Sequence, residues 1–279
     1  MPNARLRQIY LAMMQARALA HTLPKKRGQQ STLGLEACLV SPTVDLGSGD
    51  LVSDALAGGA VEFLRRPRGI ARKSRAQLRV DCGCAGELPG AKGSFERIWT
   101  AVGAAAALQR LAAHPKPADD LAAQPGVVVL YLLPEEIPAA LLQKVLSFAH
   151  DQKLPLLLVV LPPSRIKAGT ASTHKARSIT DLAHRCGVPA IPTDTDDAVA
   201  IYRVAQESIG HARIGGGPAL IECVPFALHM SAGKHVATAD AITSMEQYMI
   251  PRKVITTRWI DSETKAFAKR LTNQKIASN

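Results

Sequence analysis

Two unbroken apolar runs, VVVLYLL at residues 127–133 and LPLLLVVL at residues 154–161, determine the predicted fold of this chain. Pro125-Gly126 and Pro134 flank the first run, and Pro162-Pro163 end the second. The residues between the runs, 138–151, repeat their apolar side chains at helical spacing. Apolar strands that alternate with helices are typical of parallel strands covered on both faces. The alternation continues, with predicted helices at 177–186 and 195–211 and predicted strands at 188–191 and 219–224. We therefore predict an α/β fold, with a doubly wound, mostly parallel sheet and helices on both faces.

The composition of the 279 residues agrees with a soluble globular protein. Hydrophobic residues make up 47% and charged residues 20%, which excludes a disordered, collagen-like or disulfide-stapled chain. No apolar run reaches the roughly 20 residues of a membrane span. Because Gln8, Gln15 and Arg17 interrupt the first apolar stretch, residues 4–20 are predicted to form an amphipathic helix rather than a signal peptide. Five scattered cysteines indicate reduced thiols and a cytoplasmic location.

We expect a single domain over residues 1–279, because the length suits one large domain. Its predicted parts are an N-terminal helical part at about 1–64, a basic loop at about 65–93, an α/β core at about 94–226 and a C-terminal helical tail at about 227–279.

The basic loop contains a run of seven cations without any acidic residue. These cations are Arg65, Arg66, Arg68, Arg72, Lys73, Arg75 and Arg79. They account for much of the net charge of +11, and such a block indicates either a solvated loop or a surface for an acidic partner or another polyanion. Since no aromatic side chain lies within the run, it lacks the stacking platform that single-stranded nucleic acids use.

The segment TAVGAAAAL at residues 100–108 is predicted to be a helix with small residues on every side. Small side chains allow another helix to approach closely. We therefore expect this helix to pack against a neighbouring element or against another subunit.

Seven short blocks follow one another along the chain in a distinctive order. They are Gly34-Leu35-Glu36-Ala37, Gly49-Asp50-Leu51-Val52, Thr100 to Ala105, Phe148-Ala149, Lys153-Leu154-Pro155, Gly187-Val188-Pro189 with Asp194, Asp197 and Tyr202, and Gly217 to Glu222. In order and spacing they resemble the α subunit of the thiamine-diphosphate-dependent 2-oxoacid dehydrogenases, the E1 component. The resemblance implies a thiamine-diphosphate-binding type of α/β fold, oxidoreductase activity on oxo groups and an E1β-like partner chain that completes the active site.

The chain departs from this family at the cofactor motif. The family holds its diphosphate and Mg²⁺ with G-D-G at the end of one strand and N-N at the end of the next. The resemblance places G-D-G on Leu133-Pro134-Glu135 and N-N on Pro162-Pro163. Mg²⁺ requires oxygen ligands, whereas proline offers neither a side-chain ligand nor a backbone N–H. We therefore expect no cofactor, and expect thiamine diphosphate with Mg²⁺ only if the family activity is retained.

Glu135 and Glu136 leave two interpretations open. Either carboxylate can stand as a displaced Mg²⁺ ligand, since both follow a predicted strand. Alternatively, both are acids at a helix N-terminus, stabilised there by the helix dipole. Pro138, which suits the first turn of a helix, favours the second interpretation.

His229 and His235 are candidate catalytic residues. They follow the last predicted strand, and so belong to the carboxyl edge of the sheet, where ligands of α/β proteins bind. The family also has a histidine in its final loop, near one of these positions. The alternative is that both are solvated loop histidines, because neither has an evident orienting partner in the sequence.

Three functions remain open at this stage. The first is an E1α-like protein that has lost the Mg²⁺–thiamine diphosphate motif and is non-catalytic or depends on a partner. The second is an active 2-oxoacid dehydrogenase subunit, which carries out oxidative decarboxylation with a lipoyl disulfide as acceptor. The third is a scaffold that binds a polyanion or a partner through residues 65–79. For the first two we expect a homo-oligomer or a heteromer with an E1β-like chain, and no contact with a membrane.

Overall fold

The computed structural model describes residues 1–22, 32–53, 86–88, 93–113, 124–163, 178–225 and 240–276. Six strands form one sheet: β1 (Leu51–Ser53), β2 (Gly86–Glu87), β3 (Val128–Leu132), β4 (Leu156–Val160), β5 (Ala190–Asp194) and β6 (Ala219–Val224). Their order across the sheet is β2-β1-β3-β4-β6-β5, and every neighbouring pair is parallel.

Eight helices surround this sheet in the described part of the chain. They are α1 (Asn3–Thr22), α2 (Glu36–Val40), α3 (Ser94–Ala113), α4 (Ala139–Asp151), α5 (Ile179–Arg185), α6 (Ala198–Arg213), α7 (Ala241–Met249) and α8 (Thr257–Ile276). Two short 3₁₀ turns, Ser41–Thr43 and Pro134–Glu136, follow α2 and β3. Within these ranges, no helix is both long and apolar enough to cross a membrane.

The sheet is covered on both faces, as the apolar runs predict. Along β3, Val129 and Tyr131 pack with α1, α2, α6, α7 and α8, whereas Val128 and Leu130 pack with α3, α4 and α5. Because side chains alternate between the faces of a strand, only an uninterrupted apolar run can serve both layers. The predicted α/β class and the doubly wound parallel sheet are therefore confirmed.

One part of the predicted basic loop was wrong. Residues 65–93 were expected to form a loop throughout, but β2 lies inside this range and pairs with β1. The N–H of Gly86 donates to the carbonyl of Asp50 at 2.8 Å, and the N–H of Leu88 donates to the carbonyl of Val52 at 2.9 Å. Backbone groups at the edge of β1 make these bonds, so a two-residue strand forms here without any apolar pattern.

Asp50, from one of the blocks that resemble the E1 component, lies at the amino edge of the sheet. Its carboxylate is 1% exposed and accepts from the N–H of Gly47 at 2.7 Å and from the N–H of Val127 at 2.9 Å. The Nη2 of Arg213 lies 2.7 Å from Oδ2. Asp50 therefore holds β1, β3 and α6 together, on the side of the sheet opposite to the carboxyl ends of the strands.

Candidate functional site

The carboxyl ends of all six strands meet at one edge of the sheet, because every pair is parallel. In doubly wound α/β proteins, ligands bind in the crevice outside this edge. The residues that follow β3, β4, β5 and β6 are therefore the ones that can form a site.

The end of β3 lies beside the end of β4. Leu132 pairs with Val160, and the N–H of Leu161 donates to the carbonyl of Leu132 at 2.8 Å. The segments Leu133-Pro134 and Leu161-Pro162 consequently follow two adjacent strands at the same height. The structure thus brings together the positions on which the resemblance places G-D-G and N-N.

These positions offer little polar chemistry. Leu133 and Pro162 are buried, Pro134 is half-buried and Pro163 is exposed. None of the four side chains carries an oxygen, and the three prolines have no N–H that could donate to a phosphate. The donors at this pair of strand ends therefore do not fit a hard cation that requires carboxylate or amide oxygens.

Glu136 is engaged in a structural ion pair. Its Oε2 lies 3.2 Å from Nη2 of Arg97, whose side chain is 11% exposed. Arg97 also donates through Nη1 to the carbonyl of Tyr131, and Ser94 Oγ donates to the carbonyl of Glu136 at 3.1 Å. Both acids lie in the 3₁₀ turn before α4, and Glu135 is exposed. The contacts of Glu136 thus hold this turn against the N-terminal part of α3.

A groove of about 490 Å³ lies next to the same strand ends, between α4 and α5. Leu132, Val160, Leu142 and other apolar side chains line most of it, and Gln143 and Arg185 supply its polar atoms. The groove extends the apolar character of the β3–β4 end.

The β5–β6 end of the edge is different, because four carboxylates lie near one another there and two of them bind one arginine. Arg17 of α1 binds Glu36 of α2 through Nε at 2.9 Å and through Nη2 at 3.2 Å. Its Nη1 reaches Oδ2 of Asp240 at 3.1 Å. Asp194 and Asp196, at the end of β5, complete the set. We call these five residues the acidic cluster.

Two carboxylates of the acidic cluster, Glu36 and Asp240, also accept hydrogen bonds from backbone N–H groups. Glu36 is 1% exposed and accepts from the N–H of Gly34 at 3.0 Å. Asp240 caps α7, since Oδ1 accepts from the N–H groups of Ile242 at 3.0 Å and Thr243 at 3.1 Å. Arg17 therefore ties the start of α2 to the start of α7, and both helix starts are stabilised by acids.

The ionisation of the cluster is uneven. Burial, and then the charges of Asp194, Asp240 and Glu36, raise the pKa of Asp196 to about 6. Burial also opposes ionisation of Asp240, but hydrogen bonds from Arg17 and from the start of α7 outweigh it, so the pKa of Asp240 lies below its ordinary value. The hydrogen bond to Glu36 is the main reason why the pKa of Arg17 is raised. Asp196 therefore loses its proton closer to neutral pH than an ordinary aspartate does.

Two buried thiols lie beside the acidic cluster. Cys38 of α2 is 0% exposed and Cys223 of β6 is 2% exposed. Contact with the thiol of Cys223, and then burial, raise the pKa of Cys38, and its Sγ donates to the carbonyl of Thr195 at 3.7 Å. A thiol with a raised pKa is a poor nucleophile, so this pair serves packing rather than covalent chemistry.

Several residues singled out from the sequence lie outside the described ranges. They include the candidate catalytic residues His229 and His235 and the seven cations of the basic run, Arg65, Arg66, Arg68, Arg72, Lys73, Arg75 and Arg79. Among the described residues, no group of three or more histidines, cysteines or acids is arranged to hold a metal ion.

The fold and its edge define the class of this protein: a doubly wound, parallel α/β domain whose candidate site lies at the carboxyl ends of β3 and β4. Residues 143–273 match the family described as "Dehydrogenase E1 component". Together with relatives that are named as α subunits, this match confirms the predicted resemblance to the α subunit of that component, at low sequence identity. The matched span begins after Pro134 and includes Pro162.

Three curated relatives show how far the similarity extends. The chain is 45% identical over 49 residues to the α subunit of acetoin:2,6-dichlorophenolindophenol oxidoreductase of Bacillus subtilis, which covers 18% of this chain and 15% of the relative. It is 29% identical over 141 residues to the chloroplastic pyruvate dehydrogenase E1 component subunit alpha-3 of Oryza sativa, covering 45% and 32%. It is 30% identical over 160 residues to the α subunit of 3-methyl-2-oxobutanoate dehydrogenase of Mycobacterium tuberculosis, covering 54% and 38%. The chain therefore spans between 15% and 38% of the length of these relatives.

Proposed function

We propose that this chain is an E1 α-subunit-like protein that has lost the Mg²⁺–thiamine diphosphate motif, and is non-catalytic or dependent on a partner. The observation that supports the proposal is that prolines follow two adjacent strands, at the positions where the resemblance leads us to expect the Mg²⁺ ligands. Pro134 follows β3 and Pro162 follows β4, and the register of the two strands brings them together. A cation site at this edge needs oxygen ligands from both segments.

The ion pair of Glu136 supports the same conclusion. A displaced Mg²⁺ ligand would have to leave Arg97, and Arg97 would then keep only part of its present hydrogen bonding. Glu135 alone supplies one carboxylate, and the buried side chains beside it, Leu133 and Pro162, supply no further ligand. The alternative of an active 2-oxoacid dehydrogenase subunit therefore requires ligands from elsewhere.

We further propose that the protein acts in an assembly, as a homo-oligomer or with an E1β-like chain. Three relatives are named as α subunits, which favours a multi-subunit context. We also propose that residues 1–279 form one domain and that the protein is cytoplasmic. The second rests on free thiols at Cys38, Cys186 and Cys223.

The test is calorimetric titration of the full chain with thiamine diphosphate and Mg²⁺. It is repeated after mixing with an E1β-like chain, and a competent E1 α/β pair in the same buffer is the positive control. We expect heat of binding only in that control. Micromolar binding by the chain, alone or with the partner, would restore the reading as an active dehydrogenase subunit.

A second titration separates the scaffold alternative from the main proposal. A polyanion such as heparin is titrated at low and high salt, because binding through a cationic run weakens steeply with salt. We expect weak binding that does not depend on the run. Strong, salt-sensitive binding that is lost when Arg72, Lys73 and Arg75 are replaced by Ala would favour the scaffold.

A further inference from the structure

The groove between α4 and α5 has the size and the lining of a small-molecule site. Its volume of about 490 Å³ lies within the range of ligand pockets, about 300–1,000 Å³. Leu132 of β3 and Val160 of β4 line it at paired positions of the sheet. Leu142 of α4 and Leu182 of α5 line it from the two helices. A mostly apolar pocket with a few polar groups at the carboxyl edge of an α/β sheet is a typical place for a small ligand.

The charge at the groove determines which ligands it favours. Of the described residues that line it, Arg185 has the only charged side chain and Gln143 the only other polar one. Arg185 is exposed, and within the described ranges it forms no ion pair, not even with Asp181 one turn earlier on α5. The groove also includes Ala139 and Ala140 at the start of α4, where a helix dipole favours negative charge. A ligand with an apolar body and a negative charge therefore fits.

A carboxylate suits this single cation better than a phosphate does. One guanidinium balances one negative charge and can donate to both oxygens of a carboxylate in parallel. A phosphate monoester carries a charge of about −1.5 to −2 at neutral pH, and the described lining supplies no second cation. The leucine and valine side chains offer no hydrogen bonds, so the rest of the ligand is best a hydrocarbon chain.

We propose that the groove binds an aliphatic monocarboxylate. Arg185 binds the carboxylate, and the hydrocarbon chain lies against Leu132, Val160 and their apolar neighbours. The inference rests on the proposed function, because the groove adjoins the strand ends from which the Mg²⁺–thiamine diphosphate motif is proposed to be lost. It adds the chemical class of ligand that this edge takes instead.

The test is calorimetric titration of the full chain with hexanoate, octanoate and 1-octanol. Octanoate should bind about tenfold more tightly than hexanoate, because two more methylene groups leave water. The alcohol has the same chain length without the charge, and should bind about tenfold more weakly than octanoate.

Two variants separate the charge from the cavity. Arg185→Gln should weaken octanoate binding about tenfold and leave 1-octanol binding unchanged. Arg203→Gln is the matched control, since Arg203 is also an exposed helical arginine but lies on α6, which packs on the other face of the sheet. This control should bind both ligands as the native chain does. Ala140→Trp, at an exposed position of the lining, should weaken both ligands, because the new side chain occupies the groove. Circular dichroism checks that each variant is folded.

Three results would overturn the inference. They are no heat of binding with octanoate, equal affinity for octanoate and 1-octanol, and octanoate binding that Arg185→Gln leaves unchanged. A parallel titration with thiamine diphosphate and Mg²⁺ distinguishes this failure from failure of the proposed function. If neither octanoate nor the cofactor binds, only the present inference is wrong. If the cofactor binds, the proposed function and the inference that rests on it are both overturned.

Discussion

The two ends of the carboxyl edge differ in their chemistry. At the β3–β4 end, prolines follow both strands, and the adjoining groove is mostly apolar. At the β5–β6 end, the acidic cluster gathers Arg17 with Glu36, Asp194, Asp196 and Asp240. The polar contacts that remain at this edge are helix caps and ion pairs that hold elements together. The comparison shows that the polar groups of the β5–β6 end are engaged in contacts that hold the fold together, whereas the strand ends at β3 and β4 are largely apolar.

The largest expected effect concerns the acidic cluster. Glu36→Ala should lower the free energy of unfolding by about 3 kcal/mol, because it leaves Arg17 with one partner and the N–H of Gly34 without an acceptor. Urea unfolding followed by circular dichroism measures this loss. Glu207→Ala, at an exposed position of α6, is the control and should change stability by less than about 0.5 kcal/mol. If Glu36→Ala lowers the free energy of unfolding by less than about 1 kcal/mol, the acidic cluster does not stabilise the fold as predicted.

A smaller effect of opposite sign is expected at Asp196. Its pKa is about 6 in the folded protein and about 4 in an unfolded chain. Between these values the folded state binds more protons, so the contribution of Asp196 to stability is fully present below about pH 4 and is lost as the pH rises through about 6.

Asp196→Asn should therefore stabilise the protein by about 1 kcal/mol at pH 7, a figure reduced for solvent screening of this partly exposed group. The gain should disappear near pH 4. Asp197→Asn is the matched control, because Asp197 caps α6 and asparagine keeps that cap. Unfolding midpoints of both variants across this pH range provide the measurement. Equal curves for Asp196→Asn and the native chain would show that the four carboxylates do not interact.

The smallest effect is expected at the β3–β4 end. Glu135→Ala should change the free energy of unfolding by less than about 0.5 kcal/mol, because the side chain is exposed. Glu136→Ala should cost more, up to about 1 kcal/mol, since it removes the ion pair with Arg97. Thermal unfolding and titration with thiamine diphosphate and Mg²⁺ are measured on both variants. A large loss of stability in Glu135→Ala, or a change in cofactor binding, would place Glu135 in a working site.

The sequence predicted the central strands well because their pattern has no competing interpretation. The runs at 127–133 and 154–161 contain β3 and β4, and the predicted strand at 219–224 coincides with β6. At the sheet edge the prediction is less accurate: 188–191 was expected, whereas β5 is Ala190–Asp194. Only two of the five residues of β5 are buried. The apolar pattern in the sequence therefore stops before the last residues of β5 that pair with β6.

The acidic cluster could not be predicted from sequence spacing. Arg17 is 19 residues from Glu36 and 223 residues from Asp240, and no local pattern links them. The sequence does show an acid at the start of α2 and another at the cap of α7. Acids are common at helix starts, so this pattern does not indicate which distant side chain each of them binds. The positions at Pro134 and Pro162 were found because a family pattern was compared with the sequence; composition alone would not have found them.

The strand order also determines when the sheet can be completed during synthesis. In the described sheet, β5 pairs with β6 and with no other strand, yet β6 is made later, after the whole of α6. β6 must therefore insert between β4, which already pairs with β3, and a β5 that is still unpaired. In a nascent chain that ends before Ala219, β5 has no partner strand in this sheet. Its backbone groups can then pair incorrectly, and they are protected from this only after β6 has been synthesised.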